Sequence, residues 1–151
     1  AVMRILVILL MLLGPTLAQG VRTALNPDEL DALLRSVPYR YERVEKGGQV
    51  AFLVRLSGLK SLLLPMNCEE KGCTSLMLTA SFGMKEKPSL ERINAWNRER
   101  RFSRAYLDEE GDPVLEADLD LEGGVADRAI LAFIDLFEEN LRAFASWIGW
   151  E

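Results

Sequence analysis

Along the chain, apolar residues recur every third or fourth position in three stretches and every second position in six. The first period is that of an amphipathic helix and the second that of a strand with one buried face. Leu30, Leu33, Leu34 and Val37 share one helical face. Before them, Asn26 is placed to cap, Pro27 suits the first turn and Glu29 sits three residues beyond the cap, the spacing of a capping box. Leu25 and Leu30 are spaced for a hydrophobic staple, and Pro38 ends the helix.

Strand-like stretches follow at Tyr39 to Val44, Gln49 to Leu56, Ser61 to Met66 and Thr74 to Phe82, with turn residues at Lys46-Gly47-Gly48 and Ser57-Gly58. They predict a four-stranded antiparallel meander whose last two strands are joined by Asn67 to Cys73. Pro88 and Ser89 open a short helix with Leu90, Ile93, Trp96 and Asn97 at helical spacing. Phe102 to Leu107 and Val114 to Leu121 form a hairpin across the charged turn Asp108 to Asp112. Leu115, Ala117, Leu119 and Leu121 fall on one face of its second strand. The longest helix ends the chain, with Ile130, Phe133, Phe137, Leu141, Phe144 and Ile148 in one stripe. The order α-β-β-β-β-α-β-β-α predicts an α+β domain, an antiparallel sheet with helices packed on it.

The first eighteen residues break this pattern. Arg4, the apolar run Ile5 to Leu13, the breaker Gly14-Pro15 and the small residues Thr16 and Ala18 follow the order of a secretory signal peptide cut after Ala18. A retained membrane anchor is the competing reading, but the run is short of the roughly 20 apolar residues a span needs. Removing 18 of 151 residues, Arg4 among them, leaves residues 19–151 as one domain of 133 residues and moves the net charge from −5 to −6. An acidic, exported domain argues against nucleic acid as a partner and leaves no membrane span after cleavage.

The chain contains no histidine. This excludes Ser-His-Asp triads, Cys-His pairs and HExxH zinc sites, and two cysteines alone cannot close a four-ligand zinc site. In an oxidising compartment Cys68 and Cys73, at the ends of a hairpin, are expected to form a structural disulfide. A redox-active pair is the alternative; the spacing is not CxxC, and Glu69 and Glu70 raise rather than lower a thiol pKa. No catalytic residue, metal site or cofactor is predicted.

Four patterns have bland readings beside sharper ones. Ser57-Gly58-Leu59-Lys60 matches SxxK but sits between strands without its partner motifs. Asp108 to Asp112 lacks the spacing of a calcium loop. Glu116, Asp118, Asp120 and Glu122 alternate along one strand and read as its solvated face, with a divalent-cation site as the alternative. Arg92, Arg98, Arg100, Arg101 and Arg104 form a basic cluster, expected to face this acidic row across the sheet or, on the sharper reading, to meet an anionic partner.

Ile93-Asn94-Ala95-Trp96-Asn97, Arg101-Phe102, Arg104-Ala105-Tyr106, Asp112-Pro113 and Gly123-Gly124, with Glu116, Asp118, Asp120 and Leu121 between them, resemble the signature of the YbjN domain family. The cysteine-bearing hairpin and Cys73-Thr74-Ser75-Leu76 resemble its exported branch. The resemblance runs from Asn26 to about Ile148 and is most specific from Ile93 to Gly124. It implies a bacterial sensory-transduction regulator, similar in fold to type III secretion chaperones, that binds polypeptides and is not an enzyme. Asn94, Trp96, Asn97, Arg101 and Tyr106 are its signature positions and the candidate binding surface. Their structural alternative is a core Trp96, with Asn94 and Asn97 bonding backbone at the helix end.

Three functions follow as expectations. The first is a periplasmic interaction or chaperone-like module, binding an unidentified envelope protein through a sheet face or the C-terminal helix. The surplus apolar residues Leu131, Ile134, Leu136, Trp147 and Trp150 motivate it; self-association or local packing are their other uses. The second is a small-ligand or ion sensor built on the acidic row and the Asn-Trp-Asn segment. The third, an enzyme, needs a carboxylate or lysine mechanism, for which no nucleophile-base-orienter set can be assembled.

Overall fold

A computed structural model describes residues 20–151. The proposed export segment, 1–18, lies outside them. Strand β1 (Val21–Arg22) leads into helix α1 (Pro27–Arg35), then strands β2 (Arg40–Lys46), β3 (Gln49–Leu56), β4 (Leu59–Glu69) and β5 (Gly72–Ser81). Helix α2 (Leu90–Glu99), strands β6 (Arg104–Leu107), β7 (Pro113–Asp120) and β8 (Val125–Ala126) and helix α3 (Asp127–Ile148) complete the chain.

Local chemistry sets the boundaries. The Asn26 side chain accepts from the Glu29 amide and Glu29 reaches back to the Asn26 amide, so the capping box forms in full. Ser89 caps α2 through the Arg92 amide. Gly149, at φ 74°, ends α3 in the left-handed conformation that favours glycine. Ser57-Gly58 and Gly47-Gly48 all have positive φ, the conformation of two-residue hairpin turns. Ser57 therefore belongs to a turn and starts no helix, which removes the context an SxxK nucleophile needs.

Six strands form one antiparallel sheet in the order β2-β3-β4-β5-β7-β6, so the expected meander is present with the later hairpin added to its β5 side. A second, two-stranded sheet pairs Val21 with Ala126 and Arg22 with Val125. The sequence reading lacks this pair, because two residues carry no periodicity. Arg22 fastens it with ion pairs to Glu29 on α1 and Asp127 on α3, both at 2.5 Å.

Two boundaries correct the expected ones. Residues 67–73 are not a long connection: β4 runs on to Glu69, β5 resumes at Gly72, and Cys68 stands directly opposite Cys73. The strand expected from Phe102 starts instead at Arg104, because Phe102 takes φ 67° and turns the chain out of the extended conformation.

Alternation along the strands separates two faces. Phe52, Val54, Leu56, Leu63, Leu76, Leu78, Leu115 and Ala117 form one core with Leu30 and Leu34 of α1, Ile93 and Trp96 of α2, and Ile130, Ile134, Phe137, Leu141, Phe144 and Ile148 of α3. Phe133, expected in the α3 stripe, is half-buried at the core margin, and Ile134 takes the central position. Because all three helices bury their apolar faces in this core, the opposite face of the sheet has no helical cover among the described residues. It carries Leu53, Leu62, Leu64, Met66 and Met77, all half-buried.

Candidate binding surface

The signature residues divide between scaffold and surface. Trp96 is fully buried, edge-on to Phe144 at 5.1 Å and to Trp147 at 5.9 Å between ring centroids. Its indole N–H donates to Ser103 Oγ at 3.3 Å. Asn97 clamps β6 to α2: its amide donates to the Ala105 carbonyl at 2.9 Å and its side-chain oxygen accepts the Ala105 N–H at 2.8 Å. Asn97 thus satisfies strand backbone across the connection. Asn94 is exposed on α2. Arg101 is exposed with its guanidinium 4.8 Å from the Phe102 ring centroid.

Tyr106 belongs to a constellation that pattern reading divides. Its hydroxyl donates to Glu116 Oε1 at 2.7 Å, and Arg104 donates to Glu116 Oε2 through Nε at 3.1 Å and Nη2 at 2.5 Å. Thr79 Oγ1 lies 3.4 Å from Oε1. Glu116 is 7% exposed, so the acidic row is not uniformly solvated. Burial pushes its carboxyl pKa up, but the hydrogen bonds from Tyr106 and Arg104 outweigh that and hold it below the ordinary glutamate range. The same contact, with burial, raises the Tyr106 phenol. The grouping comes from the register: Arg104 and Glu116 are directly paired, as are Thr79 and Glu116, so the three side chains emerge in one row.

Of the basic cluster, only Arg104 faces the acidic row, with a second contact to Asp118 at 3.2 Å. Arg92 lies 3.7 Å from the Trp147 ring centroid and Arg100 lies 5.2 Å from that of Trp96. Arg98 approaches Glu99 at 3.6 Å. The expected face-to-face neutralisation is therefore corrected to one arginine, with aromatic rings taking three of the others. The surplus apolar residues at the C-terminal end of the chain are also partly spent internally. Ile134 is core, Trp147 exchanges hydrogen bonds with Arg92, and Trp150 is edge-on to Phe82.

Asp108 and Asp112 build a turn and not an ion loop. Asp108 Oδ1 accepts from the amides of Glu110 and Asp112, while Asp112 accepts from the Met84 amide and Lys87. Among the described residues, no three Cys, Asp or Glu side chains converge on a metal-sized site. Cys68 and Cys73 form a disulfide, with Cys68 exposed and Cys73 2% exposed. Cys73 also exchanges backbone hydrogen bonds with Leu25 at 2.8 and 3.0 Å, which ties the hairpin to the start of α1. There the chain passes so close to Gly72 that a Cβ would sit 3.0 Å from the Leu25 carbonyl carbon.

A surface missed by the sequence reading lies beside the start of β6. β6 pairs only with Pro113–Glu116, whereas β5 pairs with β7 as far as Asp120. Beside the unmatched end of β7 runs an apolar groove of about 320 Å³, walled by Ala117 and Leu119 of β7 and Ala132, Phe133 and Leu136 of α3. Phe102 stands at its rim, 62% exposed and in the left-handed region that costs a β-substituted residue about 1–2 kcal/mol. The groove escapes pattern reading because it depends on one strand being shorter than its neighbour.

The architecture so assembled is an α+β domain with helices on one side of a six-stranded sheet and an apolar groove at a strand edge. The chain belongs to the YbjN family, described as "Putative bacterial sensory transduction regulator", whose pattern matches residues 26–150. That is a family of regulators and not of enzymes. No curated protein matches the chain.

Proposed function

We propose that this protein is a non-catalytic regulatory module of the bacterial cell envelope that acts by binding a segment of another polypeptide in the β7–α3 groove. The observation that carries the reading is the groove itself. It is apolar, rimmed by a mostly exposed aromatic residue in a costly backbone conformation, and adjoined by strand edge that no described residue pairs with. Strain of this kind persists where the surroundings or the function demand it. Periplasmic placement is supported by the apolar leader pattern of residues 1–18 and by the disulfide. The likeness in fold to secretion chaperones that the family resemblance implies points the same way.

A photoreactive residue at position 102 of the full chain, with a control at exposed Glu45 on β2, tests this in an envelope fraction. The expected result is crosslinks from position 102 that map to one recurring peptide segment and are lost when Ala132→Trp fills the groove. Crosslinks that are only intramolecular, or that survive Ala132→Trp, defeat the reading.

A further inference from the structure

The groove is bordered by backbone as well as side chains, and the backbone narrows what it can take. The Leu121 amide bonds to Thr74 O at 2.9 Å, and the Phe82 amide bonds to Pro113 O at 3.0 Å. Odd-numbered positions of β7 therefore turn their backbone groups toward β5. Alternation turns those of even-numbered positions the other way. Val114 and Glu116 meet Tyr106 and Arg104 of β6 there. Asp118 and Asp120 continue the same row beyond Arg104, the first residue of β6, and no described residue pairs with them on that side. Their N–H and C=O groups form a short ladder without a partner strand.

Side chains on the two flanks of this ladder differ in kind. On the helix side, Leu119 and the groove wall are apolar. On the open side stand the carboxylates of Asp118 and Asp120. Asp118 is half-exposed, with its contact to Arg104 as its ion pair, and Asp120 is exposed and caps the Glu122 amide. The other exposed edge of the sheet differs. β2 is full-length and carries Arg40, Glu42, Arg43, Glu45 and Lys46, a mixed-charge edge of the kind that discourages pairing.

Resting on the reading above, we infer that the partner segment binds as an added strand beside Ala117–Asp120, with apolar and basic residues alternating along it. Residues of one parity place apolar side chains in the groove against Leu119, Phe133 and Phe102. Residues of the other parity place Lys or Arg opposite Asp118 and Asp120, where opposite charges across a strand pair are favourable. Main-chain bonds supply affinity and the alternation supplies selectivity, as in other strand-addition complexes.

Fluorescein-labelled octapeptides of alternating Val and Lys, and of alternating Val and Glu, are the probes. Anisotropy titrations on the full chain are expected to show the Val-Lys peptide binding at least tenfold more tightly. That preference falls to within about threefold in Asp118→Asn/Asp120→Asn, and binding is lost in Ala132→Trp, whose fold is checked by circular dichroism. Amide exchange gives the direct readout: the Asp118 and Asp120 N–H groups exchange freely in the free chain and gain protection with the Val-Lys peptide. Equal binding of both peptides, or binding without protection of those two amides, overturns the inference. If position 102 still crosslinks a recurring segment that is acidic or helical, the proposed function stands and only the strand inference falls. If neither crosslinks nor peptide binding appear, both fall.

Discussion

Replacing Arg104 with Met removes the charge that faces Glu116 while keeping much of the side chain's length. The side chain of Glu116 is 9% exposed and that of Arg104 is 59% exposed. Breaking a fully buried pair by deleting one partner costs about 3–5 kcal/mol, and a fully exposed pair is worth about 0–1 kcal/mol. With one partner buried and the other wet, water replaces part of the guanidinium, and Tyr106 and Thr79 continue to solvate the carboxylate. The expected loss is therefore about 2 kcal/mol, between those limits. Urea unfolding followed by tryptophan fluorescence, with the buried Trp96 as reporter, reads it as a midpoint shift on the order of 1 M. The sign with pH follows from the lowered pKa of folded Glu116. Its contribution is present above the unfolded glutamate value of about 4.3 and is lost as pH falls through the lower folded value. The gap between wild type and Arg104→Met is thus full at pH 7 and closes below about pH 4. A double-mutant cycle with Glu116→Gln should return a coupling of about 1 kcal/mol or more. A gap that stays constant down to pH 3, or a coupling within error of zero, would refute the assignment of the stability to this pair.

Other outcomes follow from single contacts. Gly72→Ala places a Cβ against the Leu25 carbonyl at φ +113°, and should cost about 2 kcal/mol or more by thermal unfolding, where an ordinary strand glycine would gain from the change. Cys68→Ser/Cys73→Ser should lower stability by about 2 kcal/mol, the chain-entropy value for so short a loop, and dithiothreitol should then have no further effect on the variant. Asn97→Ala leaves the Ala105 amide without its acceptor and should cost about 1–3 kcal/mol in denaturant. Phe102→Gly should raise stability by up to about 1 kcal/mol through relief of its backbone, while weakening capture of the Val-Lys peptide.

The parts of this fold that are legible in the sequence are those decided within a few residues. Asn26, Pro27 and Glu29 specify a helix start because all the groups that satisfy one another lie within one turn. The β3–β4 turn is legible for the same reason, and the cysteine pairing follows once the hairpin around it is read. The α3 stripe is legible in period but not in phase: Phe133 and Ile134 are both apolar, and only the facing sheet decides that Ile134 is central. What stayed hidden depends on register or on distant chain. Glu116 looks like one of four equal carboxylates until Arg104, Tyr106 and Thr79 are set beside it by pairing. The aromatic partner of Arg92 comes from α3 folding back onto α2, 55 residues away at Trp147. The groove appears only once the lengths of β6 and β7 are compared.

The β1–β8 pair has a kinetic meaning that its size conceals. It joins residues 103 and 105 positions apart through two facing pairs and the bonds of Arg22 to Asp127. The hairpins and capped helices around it close over short stretches of chain. Contacts that close long loops pay their entropy last, so this strap forms after the sheet and α3 have met and is the first element to release. Salt weakens its ion pairs and hastens that release, with the buried core still intact. The strap therefore sets a low-energy opening at the N-terminal edge of the domain, a point where proteases reach the chain long before global unfolding exposes the rest.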